Sequence, residues 1–99
     1  MVIEILDPEG AHLGALLRLA DFAGARVIEV GCGDGRLTAG VAERAASVLA
    51  FDPDEDAVGR ARAALAAELA ERVTYRTASA TDVDIPRSAF DIVLFSWSL

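Results

Sequence analysis

The chain contains no lysine: all nine of its basic residues are arginine, set against 16 acidic residues for a net charge of −7 over 99 positions. Without a lysine amine there is no Schiff-base chemistry, no pyridoxal attachment and no phosphate-gripping P-loop lysine. An acidic chain has little to attract phosphate backbones or anionic lipid, so neither nucleic acid nor a membrane surface is an expected partner. Cysteine and histidine occur once each, as Cys32 and His12. That excludes an intrachain disulfide and a Cys/His set for structural zinc, and it fits a cytoplasmic setting. No apolar run approaches the roughly 20 residues needed to span a bilayer. The opening MVIEILDPEG lacks the basic start and small-residue cleavage site of a signal peptide, so a soluble, untargeted chain is expected.

What is present is apolar: 54% of the residues are hydrophobic, which excludes a disordered chain. No repeat, linker or compositional break marks a second domain, so residues 1–99 read as one domain or a piece of one. The spacing of Leu13, Leu16, Leu17 and Ala20 predicts a helix over 9–20. Arg26-Val27-Ile28-Glu29-Val30, stopped by Gly31, reads as a buried parallel strand. Leu37, Val41 and Ala45 then recur at helical spacing. Val48 to Phe51 forms a second strand that ends on Asp52 and is broken by Pro53. From Asp54, the series Val58, Ala61, Leu65, Leu69 predicts one long helix, with Arg60, Arg62, Glu68 and Glu71 on its other faces. Val73–Thr77 is a third strand and Phe90–Phe95 a fourth, with a loop over 78–89 between them. Strands alternating with helices imply an α/β open parallel sheet with right-handed crossovers and flanking helices, its sequence stopping soon after the fourth strand.

Ligands of such sheets bind beyond the carboxyl ends of the strands. There, Gly31-Cys32-Gly33-Asp34-Gly35 joins a predicted strand to a predicted helix, and Asp52 follows Gly31 by 21 positions at the next strand end. Glycines let the backbone turn tightly beneath a ligand, and an acid about 20 positions on accepts from ribose hydroxyls. Together they predict an adenosine-containing ligand. The dinucleotide pattern G-x-G-x-x-G would need glycine where Arg36 stands, so that fingerprint is broken. Glu29, two residues before the loop, is awkward near a pyrophosphate but useful near an ammonium or sulfonium.

The stretch Val27 to Gly35 closely resembles the first motif of the Rossmann-like, class I S-adenosylmethionine-dependent methyltransferases. The resemblance implies that S-adenosylmethionine is the cofactor, that the strands lie in the spatial order third, second, first, fourth, and that a methyl group moves from sulfonium to an acceptor. It places Glu29 and the backbone of Gly31, Cys32 and Gly33 around the methionyl part, Asp52 on the ribose and Pro53 against the adenine. Residues 77–86 look like the family's third motif, where Ser79 stands in place of a common acid; the amide of Ala80 is then left to reach the ring, with Asp82 as a substitute acid. Phe90–Phe95 resembles the fourth strand, which puts Ser96 and its neighbours facing the methyl donor. The Asn or Asp followed by Pro-Pro and an aromatic, seen in many members acting on bases or glutamine, is absent, and the acceptor implied is a small molecule. The family's later strands have no counterpart, so no catalytic side chain is named.

Plainer readings stand beside these. Asp54, Glu55 and Asp56 suit a solvated helix N-terminus; Cys32 fills a loop; His12 lies on a surface; Phe95 and Trp97 either line a pocket or belong to the core. Two other functions stay open. One is a non-catalytic S-adenosylmethionine-binding or interaction module, in which a partner chain or a missing C-terminal half covers the edge of the last strand. The other is a nicotinamide-dependent oxidoreductase fragment with a degenerate dinucleotide loop.

Overall fold

The computed structural model describes residues 2–6, 21–79, 81 and 89–97. The helix expected over 9–20, with His12, lies outside the described residues, as do Ala80, Asp82 and Pro86. The elements in chain order are β1 (Val2–Leu6), β2 (Arg26–Val30), α1 (Arg36–Ala42), β3 (Ser47–Asp52), α2 (Glu55–Ala64), a short 3₁₀ turn (Ala67–Leu69), β4 (Val73–Thr77) and β5 (Ile92–Trp97).

The five strands form one sheet in the order β1-β5-β2-β3-β4, and every pair is parallel. The four predicted strands are thus present in the predicted spatial order, in an α/β parallel sheet of the expected class. The fifth strand is a correction. Val2-Ile3-Glu4-Ile5-Leu6 has the β-branched content of a strand and is followed by Asp7-Pro8, and it pairs along the outer side of β5 from Val2↔Val93 to Leu6↔Trp97. The edge of the last strand, expected to await a partner chain or a missing half, is therefore taken by this chain's own residues.

Side chains alternate between the two faces with the period of a strand. Val27, Val48, Ala50, Val73, Ile92 and Leu94 pack beneath Leu37, Val41, Val58 and Ala61 of the two helices. Ile28, Val30 and Phe51 point to the other face, joined by Leu49, Val93 and Phe95. Asp54 caps α2, its side chain accepting from the N–H groups of Asp56 and Ala57 at 3.0 and 3.2 Å. The long helix predicted from Asp54 to Leu69 is shorter than expected: α2 ends at Ala64, Leu65 is extended at φ −67° and ψ 128°, and Leu69 reaches the core from the separate 3₁₀ turn. The break follows from the need to return the chain to the sheet, where the Val48 N–H meets the carbonyl of Arg72 at 2.7 Å. At the opposite end of the sheet, Asp91 ties β2 to β5. Its Oδ2 accepts from the Arg26 N–H at 2.8 Å, and its Oδ1 pairs with Arg26 Nη2 at 3.2 Å.

Candidate functional site

A parallel sheet brings all its carboxyl ends to one edge. Here that edge gathers the glycine loop after β2, Asp52 at the end of β3, and Ala78 and Ser79 after β4. The loop is held from below. The N–H groups of Gly31 and Cys32 both donate to the Phe51 carbonyl, at 2.8 and 3.1 Å, and the Gly35 N–H turns back to the Cys32 carbonyl at 3.1 Å. The Gly33 N–H donates to Asp52 Oδ2 at 3.0 Å. Even the first N–H of α1, on Arg36, is met by Asp34 Oδ1 at 3.3 Å. A loop that holds a phosphate turns such donors outward as a nest. In this loop they are spent inside the protein, and carboxylates stand where an anion would sit.

Two of the glycines serve different needs. Gly35, at φ +83°, has no room for a side chain: a Cβ there would lie 2.5 Å from Tyr75 Oη and 2.9 Å from Ala61 Cβ. Gly33, at φ +55°, faces open space, since a Cβ there would touch no atom within 4 Å. The gap over Gly33 is a cradle beside Asp52, on the side where an adenosine-containing ligand is expected, and the acceptor oxygens of Asp52 suit the hydroxyls of such a ligand.

Asp52 is half-buried at the head of this cradle. Besides the Gly33 bond, its Oδ1 accepts from the Asp54 N–H at 2.9 Å, so both oxygens are fixed in direction. Each oxygen has a second acceptor position left for a hydroxyl. Its carbonyl accepts from the Ala78 N–H at 3.0 Å, which fixes the chain as it leaves β4. Pro53 is exposed beside it, and the half-buried Ser79 shares a hydrogen bond with Thr81 at 2.8 Å between hydroxyl oxygens. Ser96 stands near the end of β5 in register with Ile5. The structure thus gathers Gly31, Cys32, Gly33, Asp52, Pro53 and Ser79 at one edge.

Glu29 lies elsewhere than on the surface of that edge. It is 1% exposed, beneath the loop, and its Oε1 accepts from the hydroxyl of Thr38, a residue of α1 that is itself 0% exposed. Cys32 is buried as well; burial first, then the charges of Glu29 and Asp52, push its thiol up to about 12, far from a nucleophile's range. Sequence reasoning missed Thr38. The available signal was Glu29 itself: a carboxylate in an otherwise apolar buried strand requires polar partners. Among the described residues, no three His, Cys, Asp or Glu side chains gather to hold a metal ion, and no helix is long and apolar enough to cross a membrane.

Comparison with known proteins agrees with this geometry. Residues 27–99 match the family described as a methyltransferase domain. A ubiquinone biosynthesis O-methyltransferase of Rhizobium rhizogenes is 41% identical over 71 residues, which cover 72% of this chain and 28% of that protein. The crystal structure of an S-adenosylmethionine dependent methyltransferase from Mesorhizobium loti superposes with a TM-score of 0.72 at 30% identity, over 86% of this chain and 37% of that one. An RNA methyltransferase from Salinibacter ruber, crystallised with S-adenosyl-L-homocysteine, gives a TM-score of 0.78 at 26% identity over 89% and 58%. The chain spans less than a third of the length of the curated relatives it matches.

Proposed function

This chain belongs to the class I S-adenosylmethionine-dependent methyltransferase family, and from that premise we propose that it is a cofactor-binding domain serving methyl transfer to an oxygen of a small molecule. The observation that carries the reading is the inward commitment of the loop's N–H groups. A pyrophosphate needs those donors; a cationic ligand does not, and a neutral nucleoside is served by Asp52 alone. This also disfavours the nicotinamide reading. In the proposed complex the Asp52 oxygens accept the two ribose hydroxyls, the backbone of Gly31 to Gly33 lies along the amino-acid part, and Pro53 flanks the adenine with Ser79 near its edge. The end of β5, where Ser96 stands, is assigned to the methyl-bearing side. Glu29 acts from beneath, its charge reaching a cation across the thickness of the loop.

When bound, S-adenosylmethionine supplies a methyl group on a sulfonium, already a good leaving group. What remains for the protein is to orient the donor and exclude water, and alignment of this kind supplies much of a rate enhancement. No side chain of the described residues is assigned as a general base. The small-molecule acceptor is favoured by the net charge of −7, which repels a polyanion, and by the relatives named as O-methyltransferases. A cytoplasmic setting belongs to the same reading.

The test is an amide NMR titration of the chain with S-adenosylhomocysteine, repeated with Asp52→Ala and with NAD. Saturable shifts at residues 31–35 are expected, weakened at least about tenfold by the Asp52 change, since two charge-assisted hydrogen bonds are lost. Equal or stronger response to NAD would overturn the reading.

A further inference from the structure

We propose that Arg62 guards an open edge of the sheet: its guanidinium occupies the outward carbonyl at the middle of β4, and so keeps that strand from pairing with the β4 of a second copy of this chain.

β4 ends the sheet on one side and, among the described strands, pairs with β3 alone. The two run in the register Val48↔Val73 to Asp52↔Thr77. In a parallel pair the bonds to the neighbour are carried by alternate residues of a strand. Arg72 accepts from the Val48 N–H at one end of the ladder, and Ala78 donates to the Asp52 carbonyl at the other. Thr74 and Arg76 share that side, so the N–H and C=O groups of Val73, Tyr75 and Thr77 point away from β3. Such a row is a template on which another strand adds. The residues that usually blunt it are missing, since Val73-Thr74-Tyr75-Arg76-Thr77 contains no proline, lysine, glycine or acid and its β-branched and aromatic members favour a strand.

One of the outward groups is already taken. Arg62 Nη2 donates to the Tyr75 carbonyl at 2.7 Å, a short, charge-assisted bond. The source is α2, which buries Ala57, Val58 and Ala61 against the core. Arg62, the next residue, therefore stands in the last turn at the flank of the helix, where a positive charge also suits the helix dipole. A guanidinium has donors and no acceptor, so it satisfies the carbonyl without offering anything to the neighbouring N–H groups. An incoming strand needs both that carbonyl and the space the guanidinium fills.

The position of the guard matches the pairing it prevents. Two copies of β4 laid antiparallel about a two-fold axis at Tyr75 set Tyr75 against its counterpart and Val73 against Thr77, all as hydrogen-bonded pairs that use the outward groups. Thr74 then stands opposite Arg76, so no like charges meet directly to resist the pairing. Arg62 holds the acceptor at the centre of that arrangement, and both copies bring one.

Amide hydrogen exchange read by NMR tests this on the wild-type chain, Arg62→Ala and Arg62→Ala/Thr77→Pro, with sedimentation velocity on each, at a low protein concentration and at one about tenfold higher. In the wild type the Tyr75 and Thr77 amides exchange at rates independent of concentration. In Arg62→Ala they are expected to slow at least about tenfold at the higher concentration, while a dimer appears in sedimentation and the Thr74 and Arg76 amides, which serve β3, are unchanged. Proline has no N–H, and that of Thr77 faces away from β3, so the double variant returns to the monomer. Should the double variant not fold, the contrast between alternate amides decides alone; should Arg62→Ala not fold, Arg62→Met keeps the stem and loses the guanidinium. Concentration-independent exchange in the Arg62 variant overturns the proposal. So does slowing already present in the wild type, because the edge would then pair with Arg62 in place. Dimerisation of the variant without slowing at Tyr75 and Thr77 puts the contact on another surface and overturns it equally.

Discussion

Replacing Gly35 by alanine tests the packing under the loop more directly than any other single change. Two penalties arise there. The residue holds φ +83°, a left-handed conformation that costs an L-residue roughly 1–2 kcal/mol. The added carbon would also come within 2.5 Å of Tyr75 Oη, 2.9 Å of Ala61 Cβ and 3.2 Å of Tyr75 Cζ. The buried Tyr75 ring gives way only if its packing shifts, and the Ala61 methyl moves only if α2 moves, so the crowding adds about 1–3 kcal/mol, as for overpacked cores. The sum, about 2–5 kcal/mol, is a large fraction of the roughly 5–15 kcal/mol that holds a small domain folded. Gly33→Ala is the internal control: it too has positive φ, but its Cβ meets nothing within 4 Å, leaving only the conformational cost of about 1–2 kcal/mol. Urea unfolding followed by far-ultraviolet circular dichroism gives both numbers from the midpoints at constant slope. Should Gly35→Ala prove no more destabilising than Gly33→Ala, the close approach of Tyr75 to the loop is wrong.

Two further outcomes are expected. Asp54→Ala removes the acceptor for two N–H groups at the start of α2 and lowers the unfolding free energy by about 1 kcal/mol, read from the same urea curves; a neutral result would mean that water caps the helix equally well. The Asp91 carboxyl is held below its ordinary range, by the Arg26 side-chain hydrogen bond first and then by the Arg26 backbone N–H. A group lowered on folding stabilises the protein above its unfolded pKa and loses that contribution as pH falls through the lowered value, so wild-type stability drops below roughly pH 5 and the Asp91→Asn curve drops less. Parallel pH curves for the two proteins would show that the exposed pair adds nothing.

The parts of the fold that could be read in advance are those fixed by local pattern. Val27-Ile28 and Val48 to Phe51 belong to apolar runs ended by glycine or proline, and their spatial order is the one the family resemblance implies. The cofactor edge was legible because Gly31, Gly33 and Asp52 combine backbone freedom and charge at a spacing that strand and helix lengths impose. What escaped notice depends on contacts distant in sequence. Nothing local ends α2 at Ala64 in an alanine-rich, proline-free stretch; the strand waiting beside Val48 does. Val2–Leu6 has strand composition, yet only the vacant side of β5 gives it somewhere to pair. Glu29 had the right type and spacing for a ligand contact, but it is buried under α1, where Thr38 meets it, a contact that no periodicity singles out.

The position of β1 bears on how the molecule is assembled in time. Its partner residues are 91 positions away, Val2 against Val93, so among the described strands it is synthesised first and can pair only after β5 has emerged. Closing so long a loop adds little to the equilibrium, since each doubling of length costs only about 0.6 kcal/mol. The burden falls on the rate instead: parallel pairing between strands 91 positions apart is a slow event, and until it happens β5 presents an open edge. Folding speed and solubility during synthesis are thereby tied to the first six residues, far along the chain from the loop and Asp52.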